Sequence, residues 1–168
     1  MALLLFAAPA AADDVLPAID WQRITVGAGA NYVGRFDAGD EPLPEPDHEW
    51  ELGLYGAYTL VPRLALVASA ERGFDTKRWE LGPGINLRLT ERGAPVSFGL
   101  KAAYRIYSAE GDVLPPTFGK EWIVALNAGR ALTDWLVLAA SCDYALDNQQ
   151  FKLAGGLRVA HAFARGGF

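Results

Sequence analysis

Past residue 12 no apolar stretch of this chain is long enough to cross a membrane as a helix, yet apolar residues recur at every second position almost throughout. A transmembrane helix needs roughly 18 or more consecutive apolar residues. The longest charge-free runs here, Ile24–Gly34 and Leu52–Pro62, have eleven each. Alternation at 180° per residue describes strands with two unlike faces. Eight segments show it: residues 24–32, 50–60, 64–71, 79–89, 96–106, 122–129, 136–144 and 151–163.

The faces differ in kind. One runs through residues such as Ile24, Val26, Trp50, Leu52, Leu54, Leu66, Trp79, Ile85, Leu100, Val124, Leu126, Leu138, Leu157 and Val159; its 43 positions include no formally charged side chain. The other face has 37 positions, nine of them charged: Glu51, Glu71, Glu80, Arg88, Lys101, Arg105, Asp143, Lys152 and Arg158. That second face is otherwise rich in Gly, Ala and Ser, which suits a narrow interior better than a water-facing surface. A soluble lipocalin-like binder would put the apolar face inside, around roughly one small ligand. Large apolar residues at nearly every outward position fit a lipid-facing wall instead. The expected fold is therefore all-β: an eight-stranded, antiparallel, up-and-down transmembrane β-barrel.

The connections agree. Short turns at 61–63, 90–95 and 131–134 alternate with generally longer links at 33–49, 72–78, 107–121 and 145–150. Outer-membrane barrels have short periplasmic turns and longer extracellular loops. Aromatics on the apolar face gather at the strand ends. Tyr32, Trp50, Trp79, Tyr104, Trp122, Tyr144 and Phe151 fall at the loop end, and Tyr58, Phe98 and Phe163 near the turn end. Two interfacial girdles are expected.

Composition adds bounds. The formal charge is −5, but six acids and no Lys or Arg lie between Asp37 and Glu49, so the rest of the chain carries +1. With no basic patch, nucleic acid is not an expected partner. A single cysteine, Cys142, excludes an internal disulfide framework. Residues 1–12, MALLLFAAPAAA, read as the apolar core and small-residue cleavage region of a secretory signal, without its basic start. The expected organisation is a signal-peptide remnant at 1–12, a periplasmic N-terminal segment at 13–19 and the barrel at 20–168.

From the leader-like start, the eight alternating segments, the phrase Glu80-Leu81-Gly82-Pro83-Gly84 and an aromatic C-terminal end, the chain resembles small eight-stranded bacterial outer-membrane barrels. That group includes the OmpA membrane domain, OmpX and opacity-type surface proteins, and the resemblance covers roughly residues 20–168. It implies export to the outer membrane, contact with its lipid and lipopolysaccharide, and handling by the barrel-assembly machinery. It also implies an interior filled by side chains. Buried charges persist when paired, so the nine inward charges are expected to form an ion-pair network that plugs the lumen. A small diffusion channel is the alternative. Pro83, flanked by glycines, is expected to mark a β-bulge.

Catalysis is not expected, and neither is a cofactor or metal. His48 sits in the acidic loop, His161 faces outward, and Ser141 and Asp143 share the inward face with no histidine. Cys142 reads as a small apolar filler facing lipid. The Pro-rich acidic loop, with Asp37, Asp40, Glu41, Glu45, Asp47 and Glu49, is the candidate contact surface for a divalent cation or an unidentified extracellular partner.

Overall fold

The computed structural model describes residues 20–37, 48–108 and 119–162. The leader at 1–12, the segment 13–19, Asp40, Glu41, Glu45, Asp47 and Phe163 lie outside the described residues. A 3₁₀ turn, Trp21–Arg23, precedes the first strand; Asp20 accepts from the Gln22 N–H, and Arg23 donates to the Leu60 carbonyl. The strands are β1 (Ile24–Asp37), β2 (His48–Val61), β3 (Leu64–Gly73), β4 in two lengths (Trp79–Leu81 and Gly84–Arg88), β5 (Ser97–Tyr107), β6 (Gly119–Ala131), β7 (Leu136–Ala145) and β8 (Gln150–Ala162).

Each strand pairs antiparallel with its neighbours in sequence, and β8 returns to β1 through pairs such as Ala28↔Val159 and Asn31↔Gly156. The result is a closed, up-and-down, eight-stranded barrel. Closure matters because an unpaired backbone edge costs several kcal/mol per group in hydrocarbon, on the order of the cost of burying any lone polar group.

Pro83 does not mark a bulge. Ala70↔Leu81 and Val67↔Gly84 keep one register across the interruption, as do Leu81↔Ile106 and Gly84↔Ala103. The Tyr104 N–H still donates to the Pro83 carbonyl at 2.9 Å. Proline therefore removes one donor from the ladder and shifts nothing, because register is held by side chains on both faces. The described irregularity lies elsewhere in the sheet, between Thr59 and Val61 beside the β2–β3 turn. Pro83→Val returns a donor to the Tyr104 carbonyl. It is expected to raise unfolding free energy by about 1 kcal/mol, read as a higher urea midpoint of the vesicle-inserted protein.

Burial is inverted relative to a soluble domain. Among the described residues, the buried apolar side chains are only Val33, Ala103, Ile123, Ala125, Ala139 and Ala145, four of them alanine. The buried polar set is larger and includes Arg35, Glu49, Glu51, Glu80, Arg105, Glu121, Asp143 and Lys152. Leu52, Leu54, Leu66, Ile85, Leu87, Leu126, Leu153, Leu157 and Val159 stand exposed around the outside. Charged residues are almost never fully buried in soluble proteins, and a continuous apolar exterior marks an interaction surface. A soluble lipocalin-like binder requires the opposite arrangement, so that alternative fails on the direction of every strand.

Small residues let large ones cross the narrow lumen. The Tyr55 ring lies over Gly53, and the Tyr107 ring over Gly119, where any Cβ would collide with it. Register also aligns the outer aromatics: Tyr32 faces Trp50, Tyr104 faces Trp122 and Tyr144 faces Phe151. Their ring centroids are 5.4, 5.0 and 4.7 Å apart. Trp79 lies beneath the Arg72 guanidinium at 5.2 Å. At the other end Tyr58 and Phe98 are joined by Trp21 and Trp135, both exposed and both outside the sequence-predicted girdle.

Candidate functional site

Inside the loop-side half of the barrel, all eight strands send at least one charged side chain to a common centre. Strand parity places them there: Arg35 follows Asn31 and Val33 along the inner face of β1, and Lys152 sits two residues into β8. The Lys152 Nζ lies 2.7 Å from Glu80, 2.9 Å from Glu51 and 3.3 Å from Glu71. Arg35 reaches Glu49 and Glu51, both at 2.7 Å, and Glu80 at 3.6 Å. Arg105 reaches Asp143 at 2.9 Å, Glu121 at 3.0 Å and Glu80 at 3.5 Å. Lys101 approaches Asp143 at 3.8 Å. Glu80 is the hub, shared by all three of the closest cations.

The pairing has a definite geometry. Along the sheet, two ladder pairs set like charges side by side, Glu71 with Glu80 and Arg35 with Lys152, while Arg105 faces Glu121 and Asp143 faces Lys152. Directly opposed like charges destabilise an open sheet. Here they are compensated across the lumen, where Lys152 bridges both glutamates and Arg35 reaches Glu80 on β4. Much of this network can therefore form only once the barrel has closed.

Two loops complete it. Thr76, between β3 and β4, donates its N–H to Glu49 at 3.1 Å and its hydroxyl at 3.0 Å. Asn148, between β7 and β8, donates to Glu121 at 2.8 Å. The gap left among Arg35, Arg78, Glu80, Arg105, Glu121 and Lys152 is about 20 Å³, barely one water. Oxygens of Glu51, Glu71 and Glu80 lie within 4.8 Å of one another, close enough to hold a cation. The ammonium of Lys152 already serves as that cation.

Below, toward the turns, the lumen widens to a cavity of about 330 Å³. Asn127 donates across it to Asn86 at 3.2 Å, and Asn31 to the Tyr55 hydroxyl at 2.5 Å. Arg88 and Arg158 line this cavity instead of joining the network above, and Arg158 stacks on the Tyr55 ring at 4.1 Å.

Seven of the nine inward charges read from the sequence thus meet in ion pairs: Glu51, Glu71, Glu80, Lys101, Arg105, Asp143 and Lys152. Three members were not anticipated: Arg35, Glu49 and Glu121. Glu49, expected in the exposed acidic surface, is instead 1% exposed and bound to Arg35. The reason is strand length. β2 begins at His48, so Glu49 shares the inner parity of Glu51. The same extension rule, applied past Tyr32 and before Trp122, would have found Arg35 and Glu121. Ser141 and Asp143 face the lumen, whereas His48 and His161 stand outside, so these residues are not brought together.

The sequence matches no protein-family profile, and no curated protein resembles it closely enough to count as a relative. Solved structures share its fold. The N-terminal β-barrel domain of Pseudomonas aeruginosa OprF matches with a TM-score of 0.58 at 13% identity, covering 82% of this chain and 97% of that one. A de novo designed transmembrane β-barrel matches with the same TM-score of 0.58, at 13% identity over 82% of this chain and 95% of its own. The outer membrane protein OprG of Pseudomonas aeruginosa gives 0.51 at 11% identity, over 82% and 95%. A designed barrel has no biological history, so a likeness shared equally with it speaks for architecture alone.

Proposed function

We propose that the chain is an integral outer-membrane β-barrel with a structural or surface-interaction role, its lumen plugged by the ion-pair network. One observation carries the reading: charges from all eight strands meet across the loop-side lumen, and the space among Arg35, Arg78, Glu80, Arg105, Glu121 and Lys152 is about 20 Å³. An apolar exterior, charges turned inward and a fold shared with transmembrane barrels support membrane insertion. Export through a signal peptide, assembly by the barrel machinery, and contact with outer-membrane lipid and lipopolysaccharide belong to the same proposal. So does a contact role for the extracellular acids Asp37, Asp40, Glu41, Glu45 and Asp47.

The vestibule of about 330 Å³ beneath the plug favours one second reading, a small diffusion channel that opens when the network parts. Conductance across planar bilayers separates the two. A plugged barrel gives no steady current in the unmodified protein. A sustained, large open state would establish the channel and overturn the plug.

A further inference from the structure

The lipid-facing surface carries one feature that a plain hydrocarbon wall does not need. Outward parity along β3 runs Leu66, Ala68, Ala70 and then Arg72, an exposed cation level with Trp79 on the neighbouring strand. Arg72 and Lys77 overhang a groove of about 780 Å³ whose walls are Leu52, Leu54, Phe74 and Trp79. Among the described residues no carboxylate lines it. Neither Arg72 nor Lys77 takes part in the ion pairs found among the described residues, although the lumen cations beside them are richly paired.

The segment holding Lys77 is fixed in place. Gly73 N–H donates to the Arg78 carbonyl at 3.0 Å and Phe74 N–H to the Trp50 carbonyl at 2.9 Å. Thr76 is tied to Glu49 inside the barrel. Lys77 itself is held at φ +55°, a conformation that few side chains adopt freely. The two cations are thus presented at the aromatic girdle, above an apolar trough that descends past Leu52 toward Ala28.

We infer that this groove binds a membrane lipid of the loop-side leaflet through a phosphate monoester on its headgroup. Arg72 and Lys77 would take the phosphate oxygens, Arg72 as a planar fork and Lys77 as a point charge. Leu52, Leu54 and Phe74 would line one acyl chain. A phosphate monoester carries up to two negative charges, which matches the two cations. A neutral or zwitterionic headgroup would leave both cations without net compensation at the edge of hydrocarbon. The inference rests on the barrel's residing in a membrane.

Native mass spectrometry of the full chain, released from nanodiscs containing phosphatidic acid and phosphatidylcholine with matched acyl chains, tests it. The unmodified protein is expected to retain phosphatidic acid selectively. The double variant R72Q/K77Q is expected to retain roughly thirtyfold less, as two interfacial cations imply. R130Q, which removes an exposed cation at the turn end, should leave retention unchanged. Equal retention by R72Q/K77Q, or an equal loss in R130Q, overturns the site. So does displacement of the lipid by inorganic phosphate at matched concentration, which would assign the groove to the free ion. Heat-modifiable migration of the same samples keeps the two levels apart. A folded, inserted barrel without lipid selectivity defeats only the groove, whereas a chain that never inserts defeats the membrane reading beneath it.

Discussion

Lys152→Met is expected to lower the unfolding free energy of the inserted barrel by about 3–5 kcal/mol, the typical cost of removing one partner from a buried ion pair. The size follows from what remains. Glu51, Glu71 and Glu80 would keep carboxylate oxygens within 4.8 Å of one another, with no ammonium among them. Glu80 would retain Arg35 at 3.6 Å and Arg105 at 3.5 Å, both longer than its 2.7 Å contact to Lys152. Glu71 would lose the sole ion-pair partner found for it among the described residues. A second substitution isolates the mechanism. Glu71→Gln alone should cost little, but added to Lys152→Met it should recover more than about 1 kcal/mol, the coupling expected of side chains in one network. Urea titration in lipid vesicles, followed by tryptophan fluorescence, reads both. Purely additive effects would show that the two groups do not interact. The variant also makes a functional prediction: removing the central ammonium strips Glu71 of its partner and leaves Glu51 and Glu80 to the arginines alone, so a small cation-selective current is expected where the unmodified protein gives none.

Leu126→Arg is expected to cost about 2–4 kcal/mol, the penalty for a cation at the bilayer midplane on the outside of a barrel. Leu126 is 49% exposed, and a substitution at such a site in a water-soluble protein would fall within about 0.5 kcal/mol of neutral. The two environments therefore predict different outcomes for one change. The strand itself marks the depth scale. Lys120 and Arg130 lie on the same outward face as Trp122, Val124, Leu126 and Ala128, one near each end of β6. Ten residues at about 3.4 Å each, tilted by about 40°, span roughly 26 Å of height. That matches the apolar band of about 25 Å typical of outer-membrane barrels. An arginine moved from position 126 toward either end should become progressively cheaper, and a cost independent of depth would contradict the lipid-facing assignment.

The fold was largely legible because its signal has a period of two and two chemically unlike faces. Leu54 and Glu51, or Leu153 and Lys152, need no more than parity to be sent to opposite sides. Strand ends were less legible. The stretch Arg35-Phe36-Asp37 reads as loop by composition, although it continues the alternation, with Arg35 inside and Phe36 outside. For the same reason Glu49 reads as part of the acidic loop and Glu121 as part of the link before β6. Pairing across the lumen was not legible at all. Which cation meets which carboxylate depends on strand stagger, and Lys152 and Glu80 are 72 residues apart in sequence. Pro83 misled for a different reason. A Gly-Pro-Gly run is locally permissive of a bulge, but the register is decided by residues on both neighbouring strands. The lower cavity separates Arg88 and Arg158 from the network by height along the lumen, which parity alone does not resolve.

If the apolar face of every strand meets lipid, membrane fractionation followed by gel migration will show it. The chain should sediment with carbonate-washed outer membranes, and its unboiled form should migrate differently from its boiled form, as a folded barrel does. Recovery in the soluble fraction without detergent, with a single band before and after boiling, would contradict it.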